Sequence, residues 1–102
     1  MLLDIKKRLI ILSMLPKEGD INDQCLCKDI SLKLELSPSC IELVQLKNVD
    51  GVISWDNSKE ELLSVDFTLS ESNFLKALVE ELDRNKKANP ENLQLLIEIK
   101  SL

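Results

Sequence analysis

The chain has 102 residues, which is enough for one domain, residues 1–102, with a single hydrophobic core and too few for a second core. Hydrophobic residues make up 44% and charged residues 30%, a composition typical of a soluble globular domain that excludes a disordered chain, a collagen and a membrane-spanning chain. Eighteen acidic against thirteen basic residues give a net charge of −5, which opposes binding to nucleic acid and favours a basic partner. Histidine is absent, which removes the commonest general base and the commonest nitrogen ligand of metals.

The first predicted element is a helix over residues 4–15, ended by Pro16 and Gly19. Apolar residues recur along it at helical spacing and form one stripe, made of Leu2, Ile5, Leu9 and Leu12. A second apolar stripe lies on another side, made of Leu3, Ile10 and Met14. The helix is therefore either buried between two layers or in contact with a partner through this second stripe.

The segment from Asp20 to Leu36 fits two structures. Asp20 is a suitable N-cap, and Leu26, Ile30 and Leu34 lie on one face of a helix. Residues 30–36, however, alternate strictly between apolar and polar, as a strand would, so periodicity leaves helix and strand equally favoured. The helical alternative also creates a second stripe, made of Ile21, Cys25, Leu32 and Leu36.

A short helix and a β-hairpin are predicted next. Ser37-Pro38 is typical of a helix start, and this helix is expected to end near Val44. Asp50-Gly51 is typical of a two-residue hairpin turn, because such turns require positive φ. Counting outward from the turn pairs Asn48 with Ile53 and Leu46 with Trp55, which makes one face apolar. Residues 65–69 alternate again and are expected to add a third strand on the same core face.

Two residues of the hairpin stand out as possible contact points. Val49 and Val52 flank the turn on the face that is otherwise polar, so they are candidate partner-binding residues at the hairpin tip. Trp55, the only tryptophan, is interpreted as a core residue, and an interface anchor is the alternative if the hairpin face is exposed.

The remaining chain predicts two helices, one starting at Ser70 and ending near Lys87, and one starting after Asn89-Pro90. The fold class is therefore α+β, with four or five helices packed on a small antiparallel β-hairpin or three-stranded sheet.

No catalytic, cofactor-binding or metal-binding residues are assigned from the sequence. Cys25, Cys27 and Cys40 lack the spacing and the fourth ligand of a zinc site, and an odd number of cysteines indicates free thiols in a reducing compartment. Two glycines cannot build a phosphate-binding loop. The basic clusters at residues 6–8 and 84–87 carry no aromatic residues between them, so they are interpreted as solvated helix faces. The chain is not expected to be an enzyme.

The order of features resembles a family of small phage and prophage proteins of unknown function. The resemblance rests on the helix ending in residues 15–19 (LPKEG), the hairpin segment 52–55 (VISW), the strand at 65–69, and the helices entered at Ser70 and Asn89. It favours the helical interpretation of residues 30–36, and it implies no catalytic residues.

The resemblance, the small size and the acidity together predict a protein of the bacterial host cytoplasm that binds a host protein, as an inhibitor of a defence or regulatory system. It is expected to bind neither nucleic acid nor membrane. The alternative is a phage structural or assembly protein that self-associates, for example as a homodimer, through the second stripes. The partner-binding candidates are Val49, Val52, Leu3, Ile10 and Met14.

Overall fold

The computed structural model describes all 102 residues and confirms the α+β class. It contains five α-helices and four short strands. In chain order the elements are β1 (Leu2–Leu3), α1 (Ile5–Met14), α2 (Ile21–Leu34), α3 (Pro38–Leu43), β2 (Lys47–Val49), β3 (Val52–Ser54), a 3-10 turn (Asn57–Lys59), β4 (Leu63–Ser64), α4 (Leu69–Arg84) and α5 (Leu93–Lys100).

The strands form two separate antiparallel pairs rather than one three-stranded sheet. In the predicted hairpin, β2 and β3 pair in the predicted register, with Asn48 opposite Ile53. The expected third strand over residues 65–69 is wrong. The strand in this part of the chain is β4, and it pairs with β1, so that Leu3 lies opposite Leu63. The N-terminal residues pair with β4, rather than the hairpin doing so, and this pairing places Leu3 in the core.

The core is a cluster of ten buried residues to which α1, α2, α4 and α5 all contribute. Its members are Leu3, Ile11, Ile30, Leu34, Val65, Leu75, Val79, Leu95, Leu96 and Ile99. Neither β2 nor β3 contributes a residue to this cluster. The helices therefore pack on one another and on the β1–β4 pair, and the hairpin lies outside the main core.

Residues 30–34 are helical, which settles the ambiguity of this segment. The Asp20 carboxylate caps α2 by accepting a hydrogen bond from the Asp23 N–H at 2.7 Å. Ile30 and Leu34, one helical turn apart, are both fully buried, whereas Leu32 is 60% exposed. A strand would have turned Leu32 to the same side as the two buried residues. The tertiary contacts of α2 therefore favour the helical period over the alternating one.

Two helix starts differ from the sequence predictions. Helix α4 begins at Leu69 and is capped by Thr68, because Thr68 and Glu71 form a reciprocal capping box that Ser70 cannot form. Helix α5 begins at Leu93, because the Asn89 side chain accepts hydrogen bonds from the N–H groups of Glu91 and Asn92 and closes a separate turn first.

The basic cluster at residues 6–8 does not form one solvated face. Arg8 is only 5% exposed, and its guanidinium donates hydrogen bonds to the carbonyl oxygens of Leu34 at 3.0 Å and Glu35 at 2.7 Å. Lys7 forms an ion pair with Glu98 at 2.9 Å, which ties α1 to α5 and holds the pKa of Glu98 below its ordinary value. Only Lys6 is free in solvent.

Candidate functional site

Residues 37–62, which we call the hairpin unit, contribute no residue to the main core cluster. The unit comprises α3, the β2–β3 hairpin and the 3-10 turn, and Val44 is its only buried residue. The Glu60 carboxylate accepts a hydrogen bond from the Ile5 N–H and so ties the unit to the start of α1. Within the unit, the Asp56 N–H donates to the Val44 carbonyl at 2.7 Å. A segment of this length with one buried side chain gains little from burial and leaves its other side chains available for contact.

The hairpin tip has the predicted turn chemistry. Asp50 has φ of +53° and Gly51 has φ of +82°, as a type I′ turn requires. The flanking Val49 and Val52 lie directly opposite each other and are 62% and 67% exposed. The two valines therefore form a small apolar surface at the end of the hairpin, where the turn places them side by side.

Further apolar side chains of the hairpin unit are also exposed. Ile41 and Leu43 of α3 are 37% and 49% exposed, and Ile53 of β3 is 42% exposed. Exposed apolar residues scattered singly are common, but several on one short segment are typical of contact surfaces.

The hairpin unit carries most of the net negative charge. It contains five carboxylates and two lysines, a net charge of −3 out of the −5 of the whole chain. At one of these groups, Asp56, hydrogen bonds from the Ser58 hydroxyl at 2.6 Å and the Ser58 N–H at 3.0 Å lower the pKa of the carboxyl. The apolar residues of the unit are therefore set in an acidic surround, which is complementary to a basic surface.

Trp55 is not part of the main core, in contrast to its interpretation from the sequence. The side chain is half-buried beside β3, where Ile53, Ser54, Trp55 and Asn57 line a shallow depression. Its indole N–H is shielded from solvent and has no hydrogen-bond acceptor. The ladder keeps the predicted register but ends at the Lys47–Ser54 pair, so the predicted pair of Leu46 with Trp55 is not formed. Neither of these two residues packs against the core cluster.

The structure changes the interpretation of the other three candidate residues. Leu3 is fully buried in the core, so its assignment as a partner-binding residue is wrong. Ile10 and Met14 are half-buried and pack against the core cluster. Met14 lines a half-open cleft of about 230 Å³ together with Leu78 and Leu82. The second stripe of α1 is therefore mostly an internal surface, because α1 packs between the β1 strand and its neighbouring helices.

The second stripe of α2, in contrast, is exposed. Ile21 is 83% exposed, Leu32 is 60% exposed, and Cys25 lies between them on the same side. Cys27 points the other way and is buried, and this burial raises the pKa of its thiol. The three thiols are free, and no group of three or more potential ligands lies close enough together to hold a metal ion.

No helix of the structure is both long enough and apolar enough to cross a lipid bilayer. The chain matches no protein-family model, no curated protein and no solved structure. The hairpin unit is therefore the candidate site on its geometry and charge alone.

Proposed function

We propose that this chain is a non-enzymatic protein of phage type that binds a protein of its bacterial host in the cytoplasm. The hairpin unit supplies the contact surface, which includes Val49 and Val52 at its tip. In this function the protein blocks a host defence or regulatory system by occupying a surface of its target.

One observation carries the proposal: the hairpin holds its two flanking valines in solvent without contributing any residue to the core. An element that buries nothing internally gains no stability from its apolar side chains, and exposed apolar groups grouped on such an element are typical of a contact surface. The acidic surround adds long-range attraction to a basic target and raises the rate of encounter.

The experiment is a pull-down from host lysate, read by mass spectrometry, with the tagged protein and two double variants. Val49→Asp with Val52→Asp places two charges at the tip and is expected to abolish capture of the partner. The control, Ile21→Asp with Leu69→Asp, adds the same charge at two residues that are 83% and 78% exposed. Both control positions open a helix, where a negative charge is tolerated, so capture is expected to persist.

The two variants separate the outcomes. Loss in the tip variant and retention in the control supports binding through the hairpin unit. Equal capture by both variants and the wild type contradicts it.

A second candidate function is self-association as a structural or assembly protein. It is favoured by the exposed side of α2, where Ile21 and Leu32 lie about 16 Å apart along the helix with Cys25 between them. Light scattering of the pure protein tests it: this candidate predicts a dimer that Leu32→Lys dissociates, and a monomer at high micromolar concentration rejects it.

A further inference from the structure

The outer edge of β3 is an unpaired strand edge. The β2–β3 sheet has only two strands, so each strand has one edge without a neighbour. Val49 and Val52 close the two-residue turn as a hydrogen-bonded pair, and such pairs alternate with non-hydrogen-bonded ones along an antiparallel ladder. The next pair, Asn48 and Ile53, is therefore non-hydrogen-bonded. The N–H and C=O groups of Ile53 consequently point away from β2.

The same edge continues at Trp55, whose backbone N–H and C=O form no hydrogen bond within the chain. Proteins usually protect such edges with lysine or proline, because a free row of donors and acceptors pairs with other strands. The sequence Val52 to Trp55 contains neither, whereas β2 begins at Lys47. The shallow depression at Ile53 and Trp55 lies along this unprotected edge, where it can receive side chains of an added strand.

We propose that an extended segment of the partner protein adds to the outer edge of β3 as an antiparallel strand. This segment has apolar residues at alternate positions, facing Ile53 and Trp55, and a basic residue three positions to either side of its centre. The inference rests on the proposed function and names the mode of binding. Main-chain hydrogen bonds supply the affinity in this mode, and the alternate side chains supply the specificity.

Charge determines which occupant fits this edge. Asp50 and Asp56 lie three residues before and three residues after Ile53, and no basic residue lies between them. If a second copy paired antiparallel about Ile53, the hairpin units of the two copies, each with a net charge of −3, would be brought together, with Asp56 of each copy near the turn of the other. Like charges close together destabilise a strand pair, and the two-fold symmetry would repeat the repulsion. An added strand with lysine or arginine near both of its ends replaces this repulsion by attraction.

The test uses a synthetic probe, the blocked heptapeptide KVTVTVK, titrated into the isotope-labelled protein and followed by NMR. The expected result is saturable binding with amide shifts centred on Ile53 and Trp55. Two control peptides separate the contribution of charge from that of the main-chain hydrogen bonds. EVTVTVE reverses the charges, and a KVTVTVK peptide N-methylated at its central valine cannot donate the central hydrogen bond. Each is expected to bind at least about tenfold more weakly.

Matched variants of the protein locate the edge. Ile53→Pro removes the outward N–H of β3, and Asn48→Pro removes the outward N–H of β2, so neither removes a hydrogen bond of the β2–β3 ladder. Affinity for KVTVTVK is expected to fall about tenfold in the first and to change less than about twofold in the second. Asp50→Asn keeps a residue suited to the turn and is expected to weaken binding about threefold. If a proline variant fails to fold, Ile53→Lys and Asn48→Lys replace the pair.

Several results would overturn this inference. They are equal binding of the three peptides, amide shifts on the β2 edge, or protection of the Ile53 amide in the concentrated protein together with a dimer. Pull-down with Ile53→Pro separates this inference from the proposed function. A host partner that is lost with the valine variant but retained with Ile53→Pro leaves the proposed function standing and rejects strand addition.

Discussion

The buried guanidinium of Arg8 gives the most direct test of how the helices are held together. Arg8 lies on α1, yet both of its hydrogen-bond acceptors are carbonyl oxygens at the C-terminal end of α2. These carbonyls are among the four that a helix leaves unpaired at its end, and the cation also complements the negative end of the helix dipole. The side chain therefore caps one helix from another. Arg8→Met keeps much of the apolar stem and removes the cap.

The magnitude follows from the surroundings of the two acceptors. A hydrogen bond from a charged group contributes about 1.5–3 kcal/mol to the free energy of unfolding. Leu34 is fully buried, so its carbonyl loses its partner without gaining water, whereas Glu35 is exposed and its carbonyl is rehydrated. Methionine also avoids the cost of burying a guanidinium that has no carboxylate partner, which offsets part of the loss. The net destabilisation expected is about 2–3 kcal/mol.

Urea denaturation followed by circular dichroism at about 222 nm measures this loss, with an unchanged m-value showing that the unfolded state is unaltered. Lys6→Met is the matched control, because it makes the same change of charge on the same helix at an exposed residue, and it is expected to shift stability by less than about 0.5 kcal/mol. Arg8→Lys is expected to lie between the two, because an ammonium group reaches only one of the carbonyls. The reasoning is refuted if Arg8→Met and Lys6→Met have the same stability.

Three further changes test other parts of the structure. Burial raises the pKa of Glu71, but hydrogen bonds from Lys33 and Thr68 outweigh it and the pKa is lowered from 4.5. Its stabilising contribution is therefore present above about pH 4.5 and lost as the pH falls through the folded-state pKa. Glu71→Gln should lose about 1–2 kcal/mol at about pH 7 and flatten the acid decline, and a parallel pH profile in urea would contradict this. Gly51→Ala should cost about 1 kcal/mol through positive φ alone, because its Cβ meets no atom within 4 Å. Amide exchange should quicken only in β2 and β3, and exchange that quickens throughout the core would show that the hairpin is not separate. Leu75→Ala should destabilise the fold by about 2–5 kcal/mol in the same urea assay, and a loss below about 1 kcal/mol would be inconsistent with its complete burial.

Predictions that depended on a few neighbouring residues were mostly correct. The Asp50-Gly51 turn fixes the register of the hairpin, because positive φ at both positions closes the chain on itself within two residues. The caps at Asp20 and Ser37 are likewise confirmed, since each carboxylate or hydroxyl bonds an N–H three residues ahead. The start of α4 was predicted at Ser70, whereas the cap is Thr68. The sequence does contain the evidence for this cap, because Thr68 and Glu71 have the spacing of a capping box.

The candidate site was predicted only in part. The exposure of Val49 and Val52 agrees with their assignment to the hairpin tip, because side-chain alternation and turn position are both local properties. Leu3 was misassigned because β1 pairs with β4, some sixty residues away along the chain, and no local pattern reports such a contact. The free edge of β3 could not be predicted from the sequence either, because a strand edge stays unpaired only if no distant segment of the chain pairs with it.

By itself, therefore, the sequence determined the turn, the caps at Asp20 and Ser37 and the faces that side chains share, whereas the tertiary structure decided what each face contacts. The helical period predicts that Ile30 and Leu34 share a face of α2, and the strand period equally predicts that Ile53 and Trp55 share a face of the hairpin. Only the packing of distant segments buries the first pair in the core and leaves the second at the edge of the hairpin unit. The reason is physical: backbone geometry is set by neighbours in the chain, while burial depends on which remote apolar surfaces exclude the most water.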